Sequence, residues 1–212
     1  MQINDEIKEL LNEGVFEGAL FGYSVYNYKT RQAAFDAIRE HKLGAVVMNP
    51  LGGGLIPQHP ERFSFIRRQG EGMVEAALRF LWDHEDITVS LVGFENIEQV
   101  NEALAAMDSY KPRSALELDA IKNGTDASLE GICTGCAYCD GCPAEIPIPQ
   151  FMEAYNQKIL SSPERKDPVG SRLKWHWDID RSIAAKCTGC GNCEKACTQH
   201  LNIIERLKEI AG

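Results

Sequence analysis

Two short stretches, ICTGCAYCDGCP at residues 132–143 and KCTGCGNCEKAC at residues 186–197, decide how the last third of this chain folds. They contain all eight cysteines, four in each. Cysteines that recur every third residue let one loop present three thiolates to a metal–sulfur cube, while the fourth points away. Small residues between them suit a tight loop whose backbone N–H groups can bond cluster sulfide. The doubled pattern predicts two iron–sulfur clusters, of the [4Fe–4S] type.

The predicted ligands are the four cysteines of each stretch. They are Cys133, Cys136, Cys139 and Cys142 in the first, and Cys187, Cys190, Cys193 and Cys197 in the second. In two-cluster ferredoxins the fourth cysteine of each loop binds the other cluster. A crossed assignment would therefore give Cys197 to the first loop's cluster and Cys142 to the second's. Because the first stretch has the shorter spacing, the sequence leaves this pairing open.

Structural zinc is the main alternative to clusters. Zinc sites usually have pairs of cysteines separated by a long gap, and a third and fourth cysteine at the same short spacing suit single ions poorly. Disulfides are a further alternative. They are disfavoured because the charged N-terminus, MQINDEIKELLNEG, lacks the apolar segment of an export signal, which predicts a cytoplasmic location.

The bulk composition is that of a globular protein. The chain has 212 residues, of which 44% are hydrophobic and 25% charged. No run of eighteen apolar residues occurs, so the sequence predicts no membrane span. The net charge of −9 argues against nucleic acid as a partner, because phosphate binding requires a basic surface.

The first half of the chain has a different pattern, in which strands alternate with helices. Strands are predicted at residues 19–26, 44–48 and 87–93, and helices at residues 4–13, 30–41, 71–82 and from Asn96 onward, with Thr30 and Asn96 as helix caps. This alternation predicts parallel βαβ units. It stops near Pro112, which predicts three regions at residues 1–115, 116–130 (a linker) and 131–212. The last region shows only helical patterns, at residues 151–160 and 203–210.

Several segments resemble the aldo/keto reductases. FEGALFGYSVYNY (16–28), GAVVMNPLGGG (44–54) and ALRFLWDHEDITVSLVGFENIEQVNEAL (77–104) are similar to the sixth, seventh and eighth strands of that family with their flanking segments. The cysteine-rich tail resembles the ferredoxin-like extension of one bacterial and archaeal branch. The resemblance implies an α/β fold: the C-terminal portion of a (β/α)8 barrel, with about three βα units, followed by a small, mainly helical two-cluster ferredoxin-like domain.

The resemblance also implies a site for NADP(H). It places Asn49, Pro50 and Leu51 at the barrel rim beside the cofactor. The residues that it places near the adenosine phosphate are Gly93, Phe94, Glu95, Asn96 and Gln99. The sites of such barrels lie at the carboxyl ends of the strands, where these residues are expected.

No catalytic residue is predicted. The catalytic Asp, Tyr, Lys and His of the family come from its first four strands, whereas the resemblance begins at the sixth. Tyr23, Tyr26 and Tyr28 do not match the position of the catalytic tyrosine and are expected to pack in the core.

Three functions remain open at this stage. The chain is the C-terminal part of an iron–sulfur oxidoreductase of aldo/keto reductase type, a stand-alone electron carrier with a vestigial half-barrel, or a non-catalytic interaction module with structural clusters. The expected partners are a redox partner protein or the missing half of the barrel. The sequence also leaves a homo-oligomer open.

Overall fold

The computed structural model describes residues 5–124, 129, 131–162 and 164–212. The chain divides into two compact units, Met1–Asp126 and Ala127–Gly212. Part of the predicted linker, residues 125–128 and 130, lies outside the described residues, as does residue 4, where the first helix was predicted to begin. Among the described ranges, no helix is both long and apolar enough to cross a membrane.

The first unit is an α/β structure built on a parallel sheet. Its elements are α1 (Asp5–Asn12), β1 (Gly18–Gly22), α2 (Gln32–His41), β2 (Gly44–Met48), α3 (Leu55–Gln58), α4 (Met73–Trp82), β3 (Ile87–Ser90), α5 (Ile97–Asp108) and α6 (Ala115–Gly124). The strands lie in the order β1-β2-β3, and both pairings are parallel. Gly18 pairs with Gly44, and Ala45 pairs with Ile87 before an irregularity in the register. The parallel βαβ arrangement predicted from the alternating pattern is confirmed.

An aromatic cluster fills the core between the sheet and its helices. The ring of Phe35 in α2 lies 5.2 Å from that of Phe21 and 4.9 Å from that of Tyr23, both edge-on. Tyr23, Tyr26 and Tyr28 are all buried, as expected for packing residues. Burial raises the pKa of Tyr23 far above its ordinary value, so its hydroxyl stays protonated.

The predictions for the start of the first βα unit were wrong in two respects. β1 ends at Gly22, because the backbone N–H of Ser24 donates to Oδ1 of Asn27 at 2.8 Å and turns the chain out of the sheet. Thr30 does not cap α2. Its hydroxyl donates to the carbonyl of Asn27 at 2.9 Å, and a 3-10 turn precedes the helix, which begins at Gln32.

The predictions around the third strand were better. β3 ends at Ser90, three residues early, although the N–H of Leu91 still donates to the carbonyl of Val47 at 2.8 Å. The predicted cap of α5 is confirmed. Oδ1 of Asn96 accepts a hydrogen bond of 2.9 Å from the N–H of Gln99, which is the expected capping geometry.

A buried ion-pair network fixes α4 to the segments on either side of it. Nη1 of Arg113 lies 2.6 Å from Oδ2 of Asp83, and the two side chains are only 1% and 2% exposed. Nη1 of Arg79 lies 2.6 Å from Oε1 of Glu71. Arg113 also donates to the carbonyl of Ile66 at 2.8 Å. Such a network keeps buried charges compensated, and removal of one member leaves the others unpaired.

Among the described residues of the second unit, the regular secondary structure is all helical. The unit contains α7 (Ile148–Leu160), α8 (Pro168–Trp177), α9 (Asn192–Ala196) and α10 (Ile203–Ala211), with a 3-10 turn at Arg181–Lys186. Its core consists of apolar residues from these helices, chiefly Phe151, Met152, Leu173, Ile203 and Leu207. Both predicted helices are present, and α8 was not predicted.

Candidate functional site

The two cysteine loops make the same backbone turn. Gly135 and Gly189, which follow the first cysteine of each loop by two residues, both have a φ of 70°. A side chain at either position would meet no other atom, so the left-handed backbone, not crowding, accounts for glycine here. Each loop therefore curls back on itself and brings its cysteines around a common space.

The structure gathers the cysteines into two sets, each drawn from both loops. One cavity is lined by a set that we name the first thiol set, consisting of Cys133, Cys136, Cys139 and Cys197. A second cavity is lined by the second thiol set, consisting of Cys142, Cys187, Cys190 and Cys193. Cys139 also borders this second cavity. Each cavity thus receives three cysteines from one loop and the fourth cysteine of the other.

Electrostatic coupling among the thiols follows the same grouping. Burial is the main cause that raises the pKa of the Cys139 thiol to about 12, and negative charge on Cys133, Cys136 and Cys197 contributes to this rise. Burial likewise raises the pKa of Cys133 to about 11, with contributions from Cys136 and Cys197. Buried thiols of this kind ionise only where a positive partner compensates the thiolate, as a metal does when it replaces the proton.

Backbone and side-chain hydrogen bonds hold the first loop in place. The amide of Asn156, buried in α7, accepts from the N–H of Cys133 at 2.7 Å and donates to the carbonyl of the same residue at 2.9 Å. The N–H of Gly135 points to Sγ of Cys133 at 3.5 Å, and that of Leu201 to Sγ of Cys197 at the same distance. Such contacts orient ligand sulfur atoms and stabilise their negative charge.

One cysteine of each set reaches the surface. Cys136 and Cys190, the middle cysteines of their loops, are exposed, whereas Cys139 and Cys197 are buried. A group bound by either set would therefore be shielded by the helical core on one side and accessible to a partner on the other. Within the described part of the chain, no three Cys, His, Asp or Glu side chains converge on the position of a single metal ion.

The first unit contains a separate cavity of about 670 Å³ at the carboxyl ends of β2 and β3. All but one of the residues predicted to lie near a dinucleotide line it, namely Asn49, Pro50, Leu51, Gly93, Phe94, Glu95 and Gln99. The exception is Asn96, whose side chain caps α5. The position agrees with the rule that parallel β/α folds bind ligands beyond the carboxyl ends of their strands.

The charges around this cavity are negative. Glu95 and Glu102 line it, and no lysine or arginine belongs to the described residues that form its wall. In the Rossmann fold a carboxylate bonds the ribose 2′-hydroxyl of an unphosphorylated dinucleotide, whereas an arginine accommodates the 2′-phosphate. The wall therefore lacks the cation that a 2′-phosphate requires.

The solved structures that resemble this chain include two forms of one protein. One is an aldo-keto reductase from Bacillus halodurans in its holo form, with a TM-score of 0.50 and 21% sequence identity, covering 57% of this chain and 47% of that one. The other is the apo form, with a TM-score of 0.50 and 23% identity, covering 57% and 48%. Part of this chain has an aldo-keto reductase fold. The chain spans about half the length of the structures that it matches.

The parallel sheet of the first unit is consistent with this likeness, because its strands alternate with helices as in a partial (β/α) barrel. No family model and no curated protein matches the sequence. The likeness therefore concerns the fold.

Two side chains that contact the cysteine loops were not predicted from the sequence. Asn156 holds the backbone of Cys133, and Arg206 in α10 donates to the carbonyl of Gly131 at 2.8 Å. A polar residue on the buried face of the amphipathic pattern of α7 is the one signal that would have indicated Asn156. Arg206 follows no such pattern, since its neighbours come from distant parts of the sequence.

Proposed function

We propose that this chain is an iron–sulfur electron-transfer protein of oxidoreductase type that holds two [4Fe–4S] clusters, one in each thiol set. The observation that carries the proposal is that each of two cavities is lined by three cysteines from one loop and the fourth cysteine of the other, with Cys139 bordering both. This is the ligand sharing of two-cluster ferredoxins.

The donor sets fit these clusters. Each offers four sulfur ligands, the type that iron–sulfur clusters require. A bound cluster supplies one-electron uptake and release. The chain's own residues hold it and limit water around it, with Met152 and Ile203 beside the first set and Ile148 and Leu207 beside the second. Exposed Cys136 and Cys190 leave each site a face toward a redox partner.

Metal content tests the proposal directly. Protein purified or reconstituted without oxygen should contain about eight irons and eight sulfides per chain if both sites hold cubane clusters. Both clusters should be reduced and reoxidised reversibly by one electron each. Stoichiometric zinc with little iron would contradict the proposal. Clusters that resist reduction over the accessible range would favour the interaction-module alternative, in which they are structural.

Crossed ligation has a sharper test in a background that keeps only one cluster. Cys187→Ser with Cys190→Ser should eliminate the second set's cluster and leave the first. In that background Cys197→Ser should abolish the remaining cluster, whereas Cys142→Ser should leave its spectrum unchanged. Uncrossed ligation predicts the opposite result for these two substitutions, so the experiment separates the two pairings without reference to any activity.

The first unit provides the reason to propose an oxidoreductase of aldo-keto reductase type over a stand-alone carrier. Its sheet has the parallel order of a partial barrel, and β1 and β3 are its two edges. Apolar side chains on and beside these edges, including Leu20, Val89 and Leu91, are exposed. Open parallel edges and uncovered apolar strands are normally paired and covered.

The partner that we propose is accordingly a polypeptide supplying the remaining β/α units, alongside a redox partner protein for the clusters. Assembly through these edges predicts that the full chain self-associates or copurifies with such a polypeptide. A sedimentation experiment that finds only monomers, with the exposed strands fully protected from amide exchange, would contradict this.

A second candidate function is dinucleotide binding in the cavity at the ends of β2 and β3. The carboxylates of its wall favour NAD(H) over the NADP(H) that the sequence resemblance implies. Fluorescence titration of the full chain should show tighter binding of NADH than of NADPH. Glu95→Arg should reverse the order by supplying a cation for the 2′-phosphate. Glu98→Arg, with the same change of charge outside the lining residues, is the matched control.

A further inference from the structure

Arg206 places a half-buried cation beside the first thiol set. Its Nη2 donates to the carbonyl of Gly131, two residues before Cys133, and its guanidinium lies 4.6 Å from the centre of the Tyr155 ring. Its charge interacts with the thiolates of Cys133 and Cys197. The ring and the carbonyl fix the guanidinium, so that its charge is held at one position relative to these sulfur atoms.

One donor of this guanidinium is unused. Nη1 of Arg206 is buried and has no hydrogen-bond partner among the described residues. A buried donor without a partner is unfavourable, and each such group in a native structure requires an explanation. An anionic group held by the adjacent thiolates would satisfy it.

A carboxylate, in contrast, lies beside the second thiol set. Glu194 follows Cys193 directly, interacts electrostatically with its thiolate, and is held by the N–H of Ile204 at 2.9 Å. Asp140 follows Cys139 of the first set in the same way and lines the second cavity, and Lys186 and Lys195 are near the second set in sequence. All three are exposed, so solvent screens their charges. The partly buried charge beside the first set is therefore positive, and that beside the second set is negative.

We propose that Arg206 and Glu194 set unequal reduction potentials, making the cluster of the first thiol set the more easily reduced. The inference rests on the proposed function. Taking up one electron adds one negative charge to a cluster and its thiolates. A nearby guanidinium stabilises that added charge, and a nearby carboxylate destabilises it. At equilibrium, a single electron delivered by a one-electron donor resides on the first set's cluster, whichever cluster received it first.

Redox titration of the full chain, followed by electron paramagnetic resonance without oxygen, tests this. Cys187→Ser with Cys190→Ser leaves only the first cluster, and Cys133→Ser with Cys136→Ser leaves only the second. In the first background Arg206→Gln should lower the reduction equilibrium constant about tenfold, a shift of about 59 mV for one electron. In the second background it should change nothing. Lys208→Gln, the same charge change at an exposed position of α10, is the matched control.

Two further variants keep the test decisive if Arg206→Gln loses its cluster. Arg206→Lys keeps the charge and should keep the potential. Glu194→Gln should raise the potential of the second cluster alone. A first-set potential at or below that of the second in the unsubstituted chain, or equal shifts from Arg206→Gln and Lys208→Gln, would overturn the proposal. Absence of iron from the unsubstituted chain would instead refute the proposed function.

Discussion

The two units of this chain are stabilised in different ways. The first has a large aromatic core and a buried ion-pair network, yet its sheet is open at both edges and exposes apolar side chains. The second has no strands among its described residues, and its small hydrophobic core includes Cys139 and Cys197 themselves. The first unit therefore leaves its two edge strands without neighbours, whereas under the proposed function the second is completed by the clusters that its cysteines bind. In neither unit does the secondary structure by itself account for a fully paired and packed fold.

The largest expected effect comes from removing the clusters. Small domains rarely obtain more than about 3–5 kcal/mol from their core, and structural metals contribute about 10–16 kcal/mol in small zinc domains. We expect iron chelation under reducing conditions to unfold the second unit and to leave the amide hydrogens of the first unit protected from exchange. Hydrogen exchange followed by mass spectrometry separates the two. Retained protection in α7 and α10 after complete loss of iron would show that the helical core is sufficient.

The next effect concerns catalysis. Hydride transfer to a carbonyl requires a proton donor at the carbonyl oxygen, and Tyr23, with its raised pKa and buried ring, does not supply one. Loss of a positioned general acid lowers the rate by about 10²–10⁴-fold. We therefore expect no NADPH- or NADH-dependent aldehyde reduction above background by this chain alone. Turnover that appears when a polypeptide carrying the remaining β/α units is added would support the proposed partner, and turnover without one would contradict the expectation.

The sequence predicted the fold well where the local pattern and the tertiary structure agree. Tyr23, Tyr26 and Tyr28 are buried as expected, and Asn96 caps its helix. Thr30 looked equally suitable as a cap, but its hydroxyl donates a hydrogen bond to the carbonyl of Asn27 within a turn. α8 was missed because its residues, ending at Trp177, carry little amphipathic pattern. Local competition between turns and caps is not visible in the pattern of apolar residues.

In the candidate site, too, local sequence patterns predicted some features, whereas features that depend on tertiary structure were not predicted. The cysteine spacing indicated all eight cysteines as candidate ligands, but not which loop's cavity Cys142 and Cys197 would line, since that depends on how two distant loops approach each other. Arg206 illustrates the limit. It contacts Gly131 and Tyr155, which lie far from it in sequence, and no spacing rule connects them.

A moderate effect is expected in the ion-pair network of the first unit. Arg113→Met leaves the carboxylate of Asp83 buried without its cation, and breaking a buried pair typically lowers the free energy of unfolding by about 3–5 kcal/mol. Arg39→Met is the matched control, because Arg39 is 47% exposed and Asp36, one of its two partners, is 67% exposed. Such pairs contribute about 0–1 kcal/mol. Denaturant unfolding measures both, and equal losses would show that the network is not effectively buried.

The smallest expected effect tests whether the units unfold separately. Asn96→Ala removes the side-chain oxygen that accepts the N–H of Gln99, and loss of such a cap lowers stability by about 0.5–2 kcal/mol. Asn101→Ala, at an exposed position inside the same helix, removes no cap and replaces asparagine with a better helix former, so it should be neutral or slightly stabilising. If the first unit unfolds on its own, Asn96→Ala lowers the midpoint of its transition and leaves the iron–sulfur absorption of the second unit unchanged. A loss of that absorption in parallel with the unfolding of α5 would mean that the two units unfold as one cooperative structure. The units would then differ in composition but would not be independently stable.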